Sequence, residues 1–344
     1  MTDHMTDHTT DHTTDHMTDP TEIPVNPREQ YRTLSDTVFR LYAEHRRSEA
    51  IDLITESSAE LQPWRAELAH LTACLLGSLG NHDEALDTLA TAHAAGSWWD
   101  PRILVDDDDL AGLRELGRFT GLVESSRGQW ERANADQDRS GDRLGLPAAA
   151  PRGLVLALHG AEEDADDAMA AWGSATSHGF AVLAIRSSQL TSPRYRSWPD
   201  PQRAAAEIAE ARRLLPDQLR SLPAVAAGFS AGGRVALQWA LSADPFPVSG
   251  VIAVAPAASA GTLPARASRD QLTPALIIVG ADDELAEDVV GLAEELDSGP
   301  SGPFTLDVVP GLGHGFPDDF SARLAAGLVG ALASSASDRA GVAH

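Results

Sequence analysis

The sequence predicts an α/β fold with a doubly wound, mostly parallel sheet, preceded by an all-α domain that looks like a helical repeat. Two patterns carry this prediction. After Arg152, six short apolar runs alternate with helical stretches, which is typical of a parallel sheet covered on both faces. Between residues 31 and 124 the apolar spacing is helical throughout. With 344 residues and 43% hydrophobic content, the chain is long enough for two ordinary domains.

Shifts in composition divide the chain into five segments. They are a low-complexity leader (1–22), the all-α domain (23–130), a polar and then Pro/Ala-rich linker (131–152), the α/β domain (153–335) and a tail (336–344). The linker shows no clear period, and we do not expect a strand hairpin in it.

The leader repeats a tetrapeptide of the form MTDH or TTDH and places histidines at positions 4, 8, 12 and 16. Such a segment has too little apolar surface to offset chain entropy, so we expect it to be disordered. Histidines at this spacing could bind Zn²⁺ or Ni²⁺ loosely, but an expanded low-complexity leader is the favoured interpretation. It has no arginine and no apolar core, which is atypical of a signal peptide.

The all-α domain contains a weak internal repeat. The stretches SEAIDLITES and DEALDTLATA align Glu49 with Glu84, an offset close to the 34 residues of a tetratricopeptide helix pair. Gly80 and Pro101 around the second copy add to that resemblance, although the family's usual tryptophan and tyrosine positions hold other residues. An irregular helical layer docked on another domain is equally consistent. The predicted helices lie near residues 31–45, 48–58, 63–78, 82–95 and 108–124.

Composition excludes several functions. A net charge of −25 argues against binding to nucleic acid or to an anionic membrane. All 26 cationic residues are arginine, so a P-loop lysine and a pyridoxal Schiff base are both impossible. The run Asp106–Asp109 is predicted to cap the helix after it rather than to bind a metal.

The cysteine count and the hydropathy of the sequence exclude further classes of site and protein. Cys74 is the only cysteine, and its apolar helical setting predicts a buried packing residue. We therefore expect no cofactor, no metal and no disulfide. No apolar run approaches the length of a membrane span, and the expected location is cytoplasmic.

The stretch VAAGFSAGGRVAL, residues 225–237, carries the first chemical signal. Ser230 lies where a buried strand turns into a helix, and such a sharp turn leaves no room for side chains two residues either way. Gly228 and Gly232 fill those two positions, and Gly233 lets the helix pack closely on the strand. The turn exposes the hydroxyl beside a helix N-terminus, which is the position of a nucleophile.

Because the carboxyl ends of parallel strands share one edge, the residues that follow each apolar run should collect there. The motifs LALHG, GFSAGG, IIVGADDE and PGLGHGFP follow or end these runs. On these motifs, residues 153–335 resemble the α/β-hydrolase superfamily, specifically its small serine carboxylesterase and dienelactone-hydrolase-like branch. The resemblance implies a catalytic triad of Ser230 as nucleophile, His314 as general base and acid, and an orienting acid. The G-x-x-D form selects Asp283 as that acid, with Asp282 as the alternative.

The resemblance also implies an oxyanion hole formed by the backbone N–H groups of Ala231 and Ala161. His159 is expected to be a structural hydrogen-bonding residue beneath that loop. The irregular segment 186–204 predicts a substrate pocket shaped by Gln189, Tyr195 and Trp198, and a surface loop with one buried tryptophan is nearly as consistent.

These features predict a serine carboxylesterase-type hydrolase acting on small carboxylic esters or thioesters. Dienelactone hydrolases proper carry cysteine where this chain has Ser230, so their substrate is not inferred. The alternative from a different class is an inactive hydrolase-fold scaffold that binds a partner through its helical domain. A peptidase using the same triad has no visible peptide cleft. The helical domain is expected to serve as a cap, an oligomer contact or a platform for a protein partner.

Overall fold

The structure, a computed structural model, describes residues 26–135, 140–263, 273–297 and 304–341. The chain divides into two compact units, Met1–Trp64 and Arg65–His344. The predicted leader, residues 1–22, lies outside the described residues. None of the helices in the described ranges combines the length and apolar character needed to cross a bilayer.

The first unit contains helices α1 (Pro27–Ala43) and α2 (Arg47–Ser57). Proline at the first helical position has the required φ, and the Asn26 side chain caps α1 by accepting from the Arg28 N–H at 3.1 Å. The buried side chains of α1 recur every three or four residues, so they form one apolar face (Tyr31, Leu34, Val38 and Leu41).

The second unit begins with four helices: α3 (Arg65–Ser78), α4 (His82–Ala94), α5 (Pro101–Val105) and α6 (Gly117–Ala135). The prediction of one continuous helix over 108–124 is wrong, because residues Asp108–Leu113 form a 3-10 helix that ends before α6 begins. The reason is packing: Leu110 and Leu113, three residues apart, are both fully buried, and the 3-10 repeat places such residues on one side.

The rest of the second unit is a seven-stranded sheet in the order β1-β3-β2-β4-β5-β6-β7. Strand β1 runs antiparallel to β3, and every other neighbouring pair is parallel. The strands are β1 (Arg143–Gly145), β2 (Gly153–Leu158), β3 (Phe180–Ile185), β4 (Ala224–Phe229), β5 (Gly250–Val254), β6 (Ala275–Gly280) and β7 (Phe304–Val309). The last six coincide with the six predicted apolar runs.

Helices cover both faces of the sheet, as the alternation of strands and helices predicts. The helices that follow β2 in the chain are α7 (Ala165–Trp172), α8 (Pro201–Arg213), α9 (Asp217–Arg220), α10 (Ser230–Ser242), α11 (Ala286–Asp297) and α12 (Phe320–Gly341). Along β2, Leu154, Leu156 and Leu158 point into the core beneath α8 and α10, whereas Val155 and Ala157 point into the opposite core with α7 and α12. Burial of each leucine contributes about 1.5–3 kcal/mol.

The structure differs from the predicted segment boundaries in three places. Residues Arg143–Gly145 of the predicted linker pair with β3 as an edge strand, although too few residues are involved to produce a periodic pattern. The predicted tail is helical as far as Gly341. The division between compact units falls after Trp64, so α3–α6 belong to the same unit as the sheet.

Candidate active site

Ser230 lies at the turn between β4 and α10, with φ of 49° in the left-handed region. That conformation is strained for a residue with a side chain and persists only where the surroundings enforce it. A Cβ on Gly228 would lie 2.2 Å from the carbonyl oxygen of Gly232, and one on Gly232 would lie 2.4 Å from that of His159. Glycine at both positions is therefore what allows the turn to hold Ser230 at the edge of the sheet.

A buried acid and an imidazole pair beyond the ends of β6 and β7. His314 Nδ1 donates to Asp283, 3.0 Å from Oδ2 and 3.2 Å from Oδ1. The Asp283 side chain is fully buried, and its Oδ1 also accepts from the Leu285 N–H at 2.9 Å. Asp282 is exposed instead. The structure thus brings together His314 and Asp283, the first choice of the two predicted acids.

The surroundings shift the pKa of both partners in the direction that favours the ion pair. Burial lowers the pKa of His314, but the hydrogen bond to Asp283 and the charges of Asp283, Glu284 and Glu163 outweigh it, so the net pKa is raised above 6.5. Burial raises the pKa of Asp283, and the hydrogen bonds from His314 and Leu285 outweigh that effect and lower it below 3.8. Asp283 is therefore ionised at neutral pH.

The loops that carry Asp283 and His314 are in direct contact with each other. A Cβ on Gly280 would lie only 2.0 Å from the Leu312 carbonyl oxygen, so the two backbones touch. The same carbonyl accepts from the Asp282 N–H at 2.9 Å. Gly311, in the loop that leads to His314, has φ of 72°, a conformation that favours glycine.

Phe229 connects the strand of Ser230 to the imidazole. Its ring centroid lies 5.0 Å from that of His314 and 4.9 Å from that of Phe316. The residue directly before the turn thus packs against the imidazole, and Ser230 follows it by one position. The hydrogen bond from Ser230 Oγ to the imidazole that a triad requires stays a prediction.

The two predicted oxyanion donors lie at neighbouring strand ends. Ala231 is in the first turn of α10, whose N-terminus receives no side-chain cap, and Ala161 follows β2. First-turn N–H groups of a helix have no intrahelical acceptor, and the helix dipole favours negative charge there. Their role as donors to an oxyanion stays a prediction.

Sequence reasoning missed Glu163. Its Oε2 accepts from the Gly160 N–H at 2.7 Å, which fixes the backbone directly before Ala161. Its charge also helps to raise the pKa of His314. The available signal was its position four residues after His159, in the same loop as the predicted oxyanion donor.

His159 is completely buried beneath this loop. Its Nε2 accepts from the Ser187 N–H at 3.1 Å, so Nδ1 carries the proton and donates to the Gly160 carbonyl at 2.7 Å. The ring lies 5.0 Å from that of Trp198. Burial lowers the pKa of His159 to about 4, so the imidazole is neutral and structural.

The three residues predicted to shape a substrate pocket are buried: Gln189, Tyr195 and Trp198 are 3%, 8% and 1% exposed. Trp198 Nε1 donates to the His159 carbonyl at 2.8 Å, and Gln189 Oε1 accepts from the Asp200 N–H at 2.8 Å. These contacts stabilise the irregular segment 186–204 internally. Direct contact of the three side chains with a substrate stays a prediction.

The strand order and the strand-to-helix turn at Ser230 define the class of protein: the chain has the α/β-hydrolase fold predicted from its motifs. More specifically, residues 30–134 match the family model described as A/B hydrolase-like, N-terminal domain. The tetratricopeptide resemblance of the same helices is not confirmed.

Solved structures with similar folds were found at low identity. An uncharacterized protein from Bacillus cereus ATCC 10987 is 24% identical, with 87% of this chain and 97% of that chain covered and a TM-score of 0.44. Zea mays acyl-protein thioesterase 2 is 15% identical (56% and 99% covered, TM-score 0.41). A Bacillus cereus carboxylesterase is also 15% identical (59% and 98% covered, TM-score 0.42). No curated protein matches the sequence.

Proposed function

We propose that the protein is a serine hydrolase that cleaves small carboxylic esters or thioesters through an acyl-enzyme on Ser230. One observation carries the proposal: a serine with φ of 49° at the end of β4 adjoins a phenylalanine that packs on the imidazole of a buried Asp283–His314 pair. A serine hydroxyl is a poor nucleophile until a base takes its proton. The neighbouring imidazole supports that role.

In the proposed reaction, His314 Nε2 accepts the Ser230 proton as Oγ attacks the carbonyl carbon. The carbonyl oxygen becomes an oxyanion, to which the N–H groups of Ala231 and Ala161 donate. His314 then passes the proton to the departing alcohol or thiol, which leaves the acyl group on Ser230. A water molecule attacks this acyl-enzyme by the same route, releasing the acid and restoring the serine. Asp283 holds the imidazole with its proton on Nδ1 and stabilises its positive charge.

Segment 187–199 is proposed to shape the substrate pocket through its backbone. Gln189, Tyr195 and Trp198 are proposed to act by fixing that backbone, in agreement with their burial. An ester or thioester with a small acyl group is the substrate class we propose, because the sequence shows no segment that would form a long peptide cleft.

Hydrolysis of p-nitrophenyl esters and matched thioesters is expected, with kcat/KM falling as the pH is lowered through the pKa of His314. Only the neutral imidazole can accept the serine proton, and the pKa is raised above 6.5, so the midpoint of this acid limb should lie above pH 6.5. Glu284→Gln should move the midpoint to lower pH, whereas Glu287→Gln, in the first turn of α11, should not. No hydrolysis at any pH would instead favour the inactive scaffold.

We infer that helices α3–α6 act within the molecule by holding segment 187–199. The side-chain amide of Asn134 both donates to and accepts from the backbone of Leu190, at 3.1 and 2.9 Å. Trp130 Nε1 donates to the same carbonyl at 2.8 Å, and the Asp100 N–H donates to the Thr191 carbonyl at 2.7 Å. Three roles were predicted for the helical region: a cap, an oligomer contact and a platform for a partner. These contacts support the role of a cap.

A buried carboxyl group adds to this attachment. Glu67 of α3 is 4% exposed and accepts a hydrogen bond from the Ser192 hydroxyl. Burial is the main cause that raises the pKa of Glu67. A buried carboxyl group that lost its partner would carry a large desolvation penalty, so the contact resists separation of α3 from the segment.

Replacing Asn134 with alanine is expected to loosen segment 187–199 and to lower kcat/KM by about ten- to a hundredfold, since displacements near 1 Å have effects of that order. Hydrogen exchange in the segment should accelerate. Asn81→Ala is the matched control, because Asn81 is exposed and makes no side-chain cap to α4. Unchanged exchange in the Asn134 variant would contradict the inferred role of the helices.

A further inference from the structure

Three side chains with metal-binding atoms meet far from the Asp283–His314 pair in the sequence. His70 and Cys74 lie one turn apart on α3, and Asp107 immediately precedes the 3-10 helix Asp108–Leu113. Their ligand atoms all lie within 4.8 Å of one another. Histidine and cysteine at positions i and i+4 share one face of a helix, so both can reach the same ion.

The separations of these atoms suit a single tetrahedral ion. Cys74 Sγ lies 3.6 Å from His70 Nε2 and 3.2 Å from Asp107 Oδ2, and the last two atoms are 3.7 Å apart. Zinc binds sulfur at about 2.3 Å and nitrogen or oxygen at about 2.0–2.2 Å, so its tetrahedral ligands lie about 3.4–3.6 Å apart. Cys74 Sγ also lies 4.0 Å from His70 Nδ1, so the sulfur is beside the imidazole ring rather than in the direction of the Nε2 lone pair. Binding of an ion therefore requires the His70 ring to rotate until Nε2 faces Sγ and Oδ2.

We propose that His70 Nε2, Cys74 Sγ and Asp107 Oδ2 bind a Zn²⁺ ion. A thiolate with an imidazole selects zinc over magnesium or calcium, which prefer oxygen ligands. Three protein ligands leave the fourth tetrahedral position for water. The His70 and Asp107 side chains are 20% and 28% exposed, which gives the ion a path from solvent.

The contacts around the cluster are compatible with this ion. Asp107 uses Oδ1 to accept the Asp109 N–H at 2.9 Å, the predicted capping role, and thus leaves Oδ2 for the metal. His70 Nε2 donates to the Ile103 carbonyl at 3.1 Å, so binding exchanges that hydrogen bond for the metal bond and leaves the imidazole proton on Nδ1. The Cys74 thiol becomes a thiolate and releases its proton to solvent.

The pKa shift of His70 favours metal binding, whereas that of Cys74 opposes it. Burial lowers the pKa of His70, which keeps the imidazole neutral as a ligand must be. Burial and the charge of Asp107 raise the pKa of the Cys74 thiol, so the thiolate forms only when the ion is present.

The ion would cross-link two elements that already touch. A Cβ on Gly77 of α3 would lie 2.1 Å from the Asp109 carbonyl oxygen, so the helix backbone and the 107–109 turn are in direct contact. Cys74 and Asp107 are separated by 33 residues in the sequence. Zinc would therefore stabilise the helices that hold segment 187–199.

Titration of the full chain with Co²⁺, a spectroscopic probe for zinc, tests the proposal. Because Cys74 is the only cysteine, any thiolate-to-Co²⁺ charge-transfer band reports this thiol and not the leader histidines. We expect a near-ultraviolet band that saturates at one equivalent, disappears when Zn²⁺ is added, and is accompanied by a rise in Tm.

Variants complete the test. Cys74→Ser should abolish the band, and His70→Ala or Asp107→Asn should weaken Co²⁺ binding at least tenfold. His178→Ala, at a half-buried histidine outside the cluster, should leave the band unchanged. Far-ultraviolet circular dichroism checks that each variant is folded. Absence of the band in the wild-type protein, or its persistence at full affinity in the His70 and Asp107 variants, would overturn the proposal.

Discussion

Ser230→Ala is expected to lower kcat for ester hydrolysis by about 10⁶-fold, the loss seen when the nucleophile is removed from a Ser-His-Asp triad. Ser230 supplies the only oxygen in this scheme that forms the acyl-enzyme, so the loss reflects the chemical step. Alanine keeps the Cβ that already occupies the strained turn at φ of 49°, and the fold should survive. The measurements are hydrolysis of a p-nitrophenyl ester and covalent labelling by a fluorophosphonate, with the modified peptide identified by mass spectrometry.

Ser221→Ala is the matched control for this experiment. Ser221 is exposed, follows α9 and forms only a local hydrogen bond to the Gln218 carbonyl. Both labelling and turnover should be unchanged in that variant. If the Ser230 variant retained wild-type turnover, or if the label were found on another residue, Ser230 could not be the nucleophile.

Gly232→Ala is expected to prevent folding or to lower the free energy of unfolding by at least about 3 kcal/mol, against a typical total of about 5–15 kcal/mol. The added Cβ would lie 2.4 Å from the His159 carbonyl oxygen and 2.5 Å from that of Leu158. Both contacts are with backbone atoms, at the last residue of β2 and the residue after it, so no change of rotamer relieves them. The midpoint of urea unfolding measures the loss.

Gly121→Ala tests the specificity of this effect. Gly121 is an exposed helical position on α6, and no atom lies within 4 Å of the site of its Cβ. Alanine should raise stability there by up to about 1 kcal/mol, because glycine is the poorer helix former. Equal stability changes in the two variants would show that the crowding at Gly232 is not what requires glycine.

Local patterns predicted most of the sheet. The runs of β2 to β6 became strands because burial on both faces requires continuous apolar residues, and this requirement is visible in each run separately. The run of β7 also became a strand, although this edge strand is only half-buried. The edge strand Arg143–Gly145 was missed because it is three residues long and partly exposed. The 3-10 helix at Asp108–Leu113 was missed because its apolar spacing also suits an α-helix.

In the candidate site, too, some features were predicted from local sequence and others depend on the tertiary structure. Ser230 was found from the glycines two residues on either side, since the steric demand of the turn is local. The choice of Asp283 over Asp282 rests on which carboxylate reaches His314, 31 residues further along the chain. The contact between Glu163 and the Gly160 N–H depends on a loop conformation that residue types do not specify.

The sequence by itself determined the α/β class, six of the seven strands and the sharp turn at Ser230, because each depends on residues within about one element of each other. Only the tertiary structure decided that α3–α6 join the unit of the sheet, that Asn134 holds Leu190, and that His70, Cys74 and Asp107 meet. Such contacts join residues tens of positions apart, and their partners are selected by the packing of whole helices rather than by local spacing.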